Sequence, residues 1–376
     1  MKKMKKGPAC YENWKAANGG TPVHLAYEYP LYTDARIIGN DLSDGYGPYQ
    51  ILNCVRHQPN QPRPALVLYV EHHLKYEPEV KLKTEADTYH GGNLQDEIAA
   101  LLSLCLGIRL KSGDANRSFG ASDDRGRPIS YGFAKDPIPP IVDERPILPN
   151  AVKEHHLEEA MLLRNLLELE PSNAVTLIRA ARLYQEAIWI VESTPELSWL
   201  MFTSAIETAA SAWRRSTETA VESLKLSKPK LIDIINELGG DELVTRVANE
   251  LDGLFGATRN FVDFVLQFLP EPPSHRSYEW AQHSWDSKIM KRSLKLIYDH
   301  RSKALHGGIP FPAPMSSQPI SVAENPALVE VPVGLATTTR GATWAKKDTP
   351  MLLHTFEYIV RHALSNWWKS MIEPRG

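Results

Sequence analysis

The sequence predicts an α+β protein in two parts, a mixed α/β N-terminal domain followed by an all-α helical bundle. Three observations carry this reading. Short β-rich runs bounded by Pro, Gly and Asn occupy the first third of the chain. Five prolines (Pro137, Pro139, Pro140, Pro146 and Pro149) then crowd one short segment that can be neither helix nor central strand. Beyond it, apolar residues recur at helical spacing. The expected division is a domain over 1–136 that senses or positions something, a Pro-rich linker over 137–150 and a helical domain over 151–376, each domain folding independently.

In chain order, Ala65–Val70 and Glu79–Thr84 read as strands. Asn93 with Asp96 three residues on reads as a capping box opening a helix through Ile98, Leu101, Leu102 and Cys105. Asp123-Asp124-Arg125-Gly126 reads as a turn. After the linker, Leu177, Ala180, Ala181, Tyr184, Ala187, Ile188 and Val191 form one helical stripe. A helix starting near Pro195 carries two stripes, Leu197-Leu200-Met201-Ala205-Thr208 and Trp199-Phe202-Ile206-Ala210-Trp213, which predicts burial on both sides. Glu207 is the only charge between Leu197 and Ala212 of that helix, so it is either partnered or functional. Further helices are expected from Pro229 to Gly239, over about 241–269 with a break near Gly253 or Gly256, over 287–306 ending at Gly307-Gly308, and at the C-terminus from Leu353. That makes five or six helices, with an irregular Pro310–Pro350 stretch holding one short strand at Leu328–Val331.

Composition narrows the function classes. Apolar residues make up 43% of the 376 and charged residues 23%, which excludes global disorder. Three cysteines without C-x-x-C spacing exclude a disulfide scaffold or a cysteine zinc site and point to a reducing compartment. The basic start has no apolar stretch behind it, and the densest apolar run, 98–108, is too short for a membrane helix. A cytoplasmic protein with no membrane partner is expected. The net charge of −3 gives no general affinity for nucleic acid. Positive charge is local: within 287–306, Lys288, Lys291, Arg292, Lys295, Arg301 and Lys303 stand against Asp299 alone.

Motifs are few. Phosphate-binding loops, a dinucleotide fingerprint and H-E-x-x-H are absent from the sequence. His306-Gly307-Gly308 lacks the serine elbow of a hydrolase and reads as a helix C-cap. Glu71-His72-His73 and Glu154-His155-His156 with Glu159 have ligand-type side chains. The first sits in a strand, where neighbours diverge, and the second reads as a solvated helix start, so no metal is assigned. Arg301 and His306 remain, four residues between them. Arginine offers a permanent cation whose fork fits phosphate oxygens, and histidine exchanges protons near neutral pH. Cleavage of RNA through its own 2′-hydroxyl needs these two functions, charge stabilisation and proton transfer, and no metal. Five helical steps place the two side chains about 140° apart, so convergence needs a partner surface or a distorted helix end. The bland alternative is a solvated Arg and a His complementing the helix dipole.

The string I-Y-D-H-R-S-K-A-L-H-G-G, ending at Gly308 on the penultimate helix, and S-A-I-E-T-A-A around Glu207 on a buried one resemble the HEPN superfamily, and more narrowly its Apea-like branch. The resemblance covers about 170–376 and extends weakly to the preceding domain. It implies an all-α HEPN bundle and a homodimer whose two motifs face one cleft. It also implies a metal-independent, cofactor-free endoribonuclease of the toxin or antiviral defence kind, with an antitoxin or phage-derived trigger as a further partner. By position, Arg301 and His306 are the catalytic pair, Ser302 and Glu207 support it, and Arg292, Lys295 and Lys303 contact the RNA backbone. Ser302 departs from the Asn, His or Asp of several active families. Some HEPN domains are non-catalytic modules that bind protein or nucleic acid, which is the alternative function.

Overall fold

The computed structural model describes residues 6–53, 63–74, 82, 84–120, 123–129, 136–139, 145–215, 219–251 and 256–372. Helix α1 (Ala9–Asn18) precedes strands β1 (Leu25–Thr33), β2 (Arg36–Ile38), β3 (Tyr49–Asn53) and β4 (Arg63–His72). The strand expected at Ala65–Val70 lies inside β4, whereas four residues of Glu79–Thr84 fall outside the described residues and the other two, Leu82 and Thr84, are in no strand. Helix α2 (Leu94–Leu106) follows, with β5 (Lys111–Ser112), β6 (Arg117–Phe119), β7 (Arg127–Pro128) and β8 (Glu154–His156). The main sheet is antiparallel, ordered β3-β4-β1-β6-β7, with β5 also on β1. Its register sets Leu31 opposite Leu66 and both Tyr29 and Ile51 opposite Leu68, so alternate residues form one buried face. The turn at 123–126 connects β6 to β7.

Asn93 and Asp96 form the capping box of α2, and Gly107 ends the helix at φ 70°. The helix is buried beyond its expected stripe: Ala99, Ala100, Leu104 and Leu106 are as enclosed as Ile98 and Leu101. Its neighbours explain this, since α2 packs on α1 and also on α3 (Pro171–Ile190) and α9 (Leu353–Ile372). One apolar core therefore runs from Cys10 to Trp368, across the Pro-rich segment. Arg109, 0% exposed, reinforces the junction by pairing with Asp34 at 2.6 Å and Glu192 at 3.5 Å.

Between α3 and α9 lie α4 (Pro195–Arg215), α5 (Ala220–Ser227), α6 (Pro229–Glu250), α7 (Ala257–Gln267) and α8 (Ser287–Gly307). The described residues thus hold seven α-helices in the C-terminal part rather than five or six. The helix from Pro229 stops at Gly239 as expected: Gly239 (φ −161°, ψ 15°) and Gly240 (φ 66°, ψ −168°) are non-helical, so α6 consists of two helical stretches joined at a kink. In α4 the Trp199 stripe is buried, whereas Leu197 on the other stripe is exposed. Two small hairpins depart from an all-α bundle, β9 (Ser321–Val322) with β10 (Asn325–Leu328) and β11 (Ala336–Thr339) with β12 (Ala342–Ala345). Arg340 and Gly341, both at positive φ, turn the second as type I′ central residues do. The strand expected at Leu328–Val331 begins three residues earlier and ends at Leu328. Glu154–His156 is strand β8, parallel to β2, and leads into a 3₁₀ helix (Leu157–Glu168) whose capping box joins His156 and Glu159, but His155 is buried rather than solvated and donates to the Asn150 carbonyl at 2.7 Å.

Candidate nucleic-acid interface

Helix α8 is built by its sequence pattern. Asp286 caps it by accepting from the Lys288 and Ile289 amides at 3.0 and 3.1 Å. Gly308, at φ 65°, closes it by donating to the Lys303 carbonyl. Met290, Leu294 and Ile297 bury one face in the core, which leaves the basic residues outside.

At about 100° per residue, Lys288, Arg292, Lys295, Asp299 and His306 fall within about 60° of one another on the outer face. Lys288, Lys291, Arg292 and Lys295 line an open cleft of about 470 Å³, closed opposite by Lys347 and Asp348. Five cations there face two carboxylates, Asp299 and Asp348. His300 fastens the far wall: its Nε2 donates to the Asp348 carbonyl at 2.9 Å. Burial lowers the pKa of this imidazole, and the Asp348 hydrogen bond acts the other way.

Arg301 faces inward. Its Nη2 donates to Glu207 Oε2 on α4 at 2.7 Å, with side chains 19% and 20% exposed. Tyr298, one turn earlier, donates its hydroxyl to the other Glu207 oxygen at 2.7 Å. The guanidinium also lies 5.5 Å from the Tyr298 ring centre. Burial, then the Glu207 hydrogen bond and charge, raise the Tyr298 hydroxyl pKa, so it stays a donor throughout the physiological range.

The structure thus joins Arg301 to Glu207 and puts Arg292 and Lys295 in one cleft. It does not bring Arg301 to His306, which is exposed on the last turn of α8 on the opposite side of the helix. Lys303 is exposed beside the stripe, and Ser302 is half-buried. Two contributors escaped the sequence reading. Tyr298 sits at i−3 from Arg301, a spacing that signals contact. Lys347 comes from a turn nearly fifty residues away in the chain, for which no local signal exists. Among the described residues, no helix is long and apolar enough to cross a membrane. No protein-family model, curated protein or solved structure matches the chain.

Proposed function

We propose that this chain is a HEPN-type endoribonuclease that works as a homodimer, cuts RNA by 2′-hydroxyl attack without a metal, and serves as a toxin or antiviral defence effector. The observation that carries the reading is the basic face of α8, which runs from the cleft to an exposed histidine at the helix end. Lys288, Arg292 and Lys295 hold the RNA backbone through phosphate charge, with Lys303 near the scissile position. His306 moves the proton. Arg301, oriented by Glu207 and Tyr298, neutralises the phosphorane. Because Arg301 and His306 diverge on one helix, a second copy completes each cleft. Purified protein with a defined transcript and EDTA should yield fragments ending in 2′,3′-cyclic phosphate. Cleavage of DNA, or activity restored only by magnesium, overturns the reading.

One observation favours a second reading. The Arg301 guanidinium is engaged by Glu207 and stacked near Tyr298, which suits a structural ion pair in a non-catalytic module that binds RNA in the cleft. Under it, RNA binds in a salt-dependent way but stays intact.

A further inference from the structure

A second cavity, remote in the sequence from the basic cleft, lies where α9 meets the 149–153 turn, the 273–276 loop and β10. It has a volume of about 730 Å³, within the range of small-molecule sites. Leu148, Pro149, Pro273, Pro326, Leu328 and Tyr358 supply apolar wall.

Its charged lining is unbalanced in a specific way. Arg276 and Glu330 neutralise each other through a two-pronged pair at 2.6 and 2.7 Å. Arg361 and Glu357, one turn apart on α9, both line the cavity yet form no ion pair with each other. Glu357, 5% exposed, accepts instead from the Tyr184 hydroxyl at 2.5 Å. Arg361 donates to the Cys105 carbonyl and to His362 Nε2, each at 3.2 Å, and its Nε is buried without a partner. Both of those acceptors are neutral, because burial and the Arg361 charge pull His362 down to about 3. Gly107 at φ 70° makes room for this guanidinium; a Cβ there would sit 2.7 Å from Arg361 Nη1. Lys153, exposed at the rim, has no ion-pair partner among the described residues. Arg361, which feels Glu357 and Glu159 but makes no direct ion pair with either, and Lys153 therefore border an apolar chamber, where an anion would supply the contact partner both lack.

We propose that this cavity binds a small organic anion, its carboxylate or phosphate held by Arg361 and Lys153 and its apolar body against Tyr358 and the proline-rich wall. Glu357 is already engaged by the Tyr184 hydroxyl; burial raises its carboxyl pKa, and the Arg361 charge and the Tyr184 hydrogen bond act the other way. The site stands independently of the ribonuclease reading.

Calorimetric titration of the full chain with benzoate, phenyl phosphate and neutral benzamide tests it. Benzoate or phenyl phosphate should bind at least about tenfold more tightly than benzamide, and the better of the two identifies the head group. Arg361→Met should weaken binding by about tenfold or more. Lys153→Gln, at an exposed position that leaves the fold intact, should weaken it about two- to fivefold. Equal affinity for benzamide, binding indifferent to Lys153→Gln, binding abolished by Lys295→Gln in the other cleft, or no binding of any probe at millimolar concentration overturns the proposal.

Discussion

Arg301 on α8 and Glu207 on α4 form a 2.7 Å ion pair, while His306, on the same helix as Arg301, is exposed on the opposite side. The helix therefore has a fixed inner cation and a free outer histidine. Within one chain the two groups point to different sides of α8.

The outer histidine gives the first prediction. His306→Ala should reduce RNA cleavage about 10²–10⁴-fold, the range for a lost general acid–base, and leave RNA affinity and melting temperature nearly unchanged. Arg301→Lys should rescue poorly, since an ammonium lacks the fork that bridges phosphate oxygens. Wild-type cleavage rates in the His306→Ala protein would defeat the assignment.

Glu207→Gln tests what the inner pair does. The amide removes the charge that faces Arg301 and one acceptor of the Glu207–Tyr298–Arg301 set. A stability loss of about 1–2 kcal/mol is expected, between values for exposed ion pairs and for buried charged hydrogen bonds. In a double-mutant cycle with Arg301→Met the two effects should be strongly non-additive. Additive losses would mean that the residues do not interact in solution.

The continuous core predicts coupling between the chain's two halves. Arg109→Met should cost about 3–5 kcal/mol, because it strands Asp34 and Glu192. Leu101→Ala should cost about 2–5 kcal/mol through its cavity. Both should shift one shared thermal transition, and residues 151–376 expressed alone should expose the apolar faces of α3 and α9 and bind a hydrophobic dye. Two calorimetric transitions, with only one moved by Leu101→Ala, would show that the halves fold separately.

Local features were legible from the sequence. The α2 capping box and the limits of α8 are set by residues within a few positions of the helix ends. Glu207 stood out because an unpaired charge within an apolar helix is costly, and its partner proved to be Arg301. Partners from distant segments were not legible. Lys347 reaches the cleft, and Arg109 spans from Asp34 to Glu192, through tertiary packing that leaves no periodic trace. The β11–β12 hairpin was missed because Arg-Gly is a rarer type I′ pair than Asn-Gly or Asp-Gly.

Stability should fall as the protein is acidified from pH 7 to pH 5. Burial lowers the pKa of His72, His283, His300 and His354, and it brings His362 to about 3. Each takes up a proton less readily in the folded chain than in the unfolded chain, which titrates near the ordinary value of 6.5. The unfolded state then binds more protons, so the stability these residues contribute is complete above about pH 6.5 and lost progressively below it. Glu357 works the other way: its raised carboxyl favours the folded state near and below its ordinary value of 4.5, and that advantage is lost as pH rises. Five histidines against one carboxyl set the net direction. His300→Gln keeps a donor for the Asp348 carbonyl and removes one titrating group, so it should flatten the slope by at most about 1.4 kcal/mol per pH unit. Melting temperatures that stay level or rise between pH 7 and 5, or a slope unaltered by His300→Gln, would contradict this account.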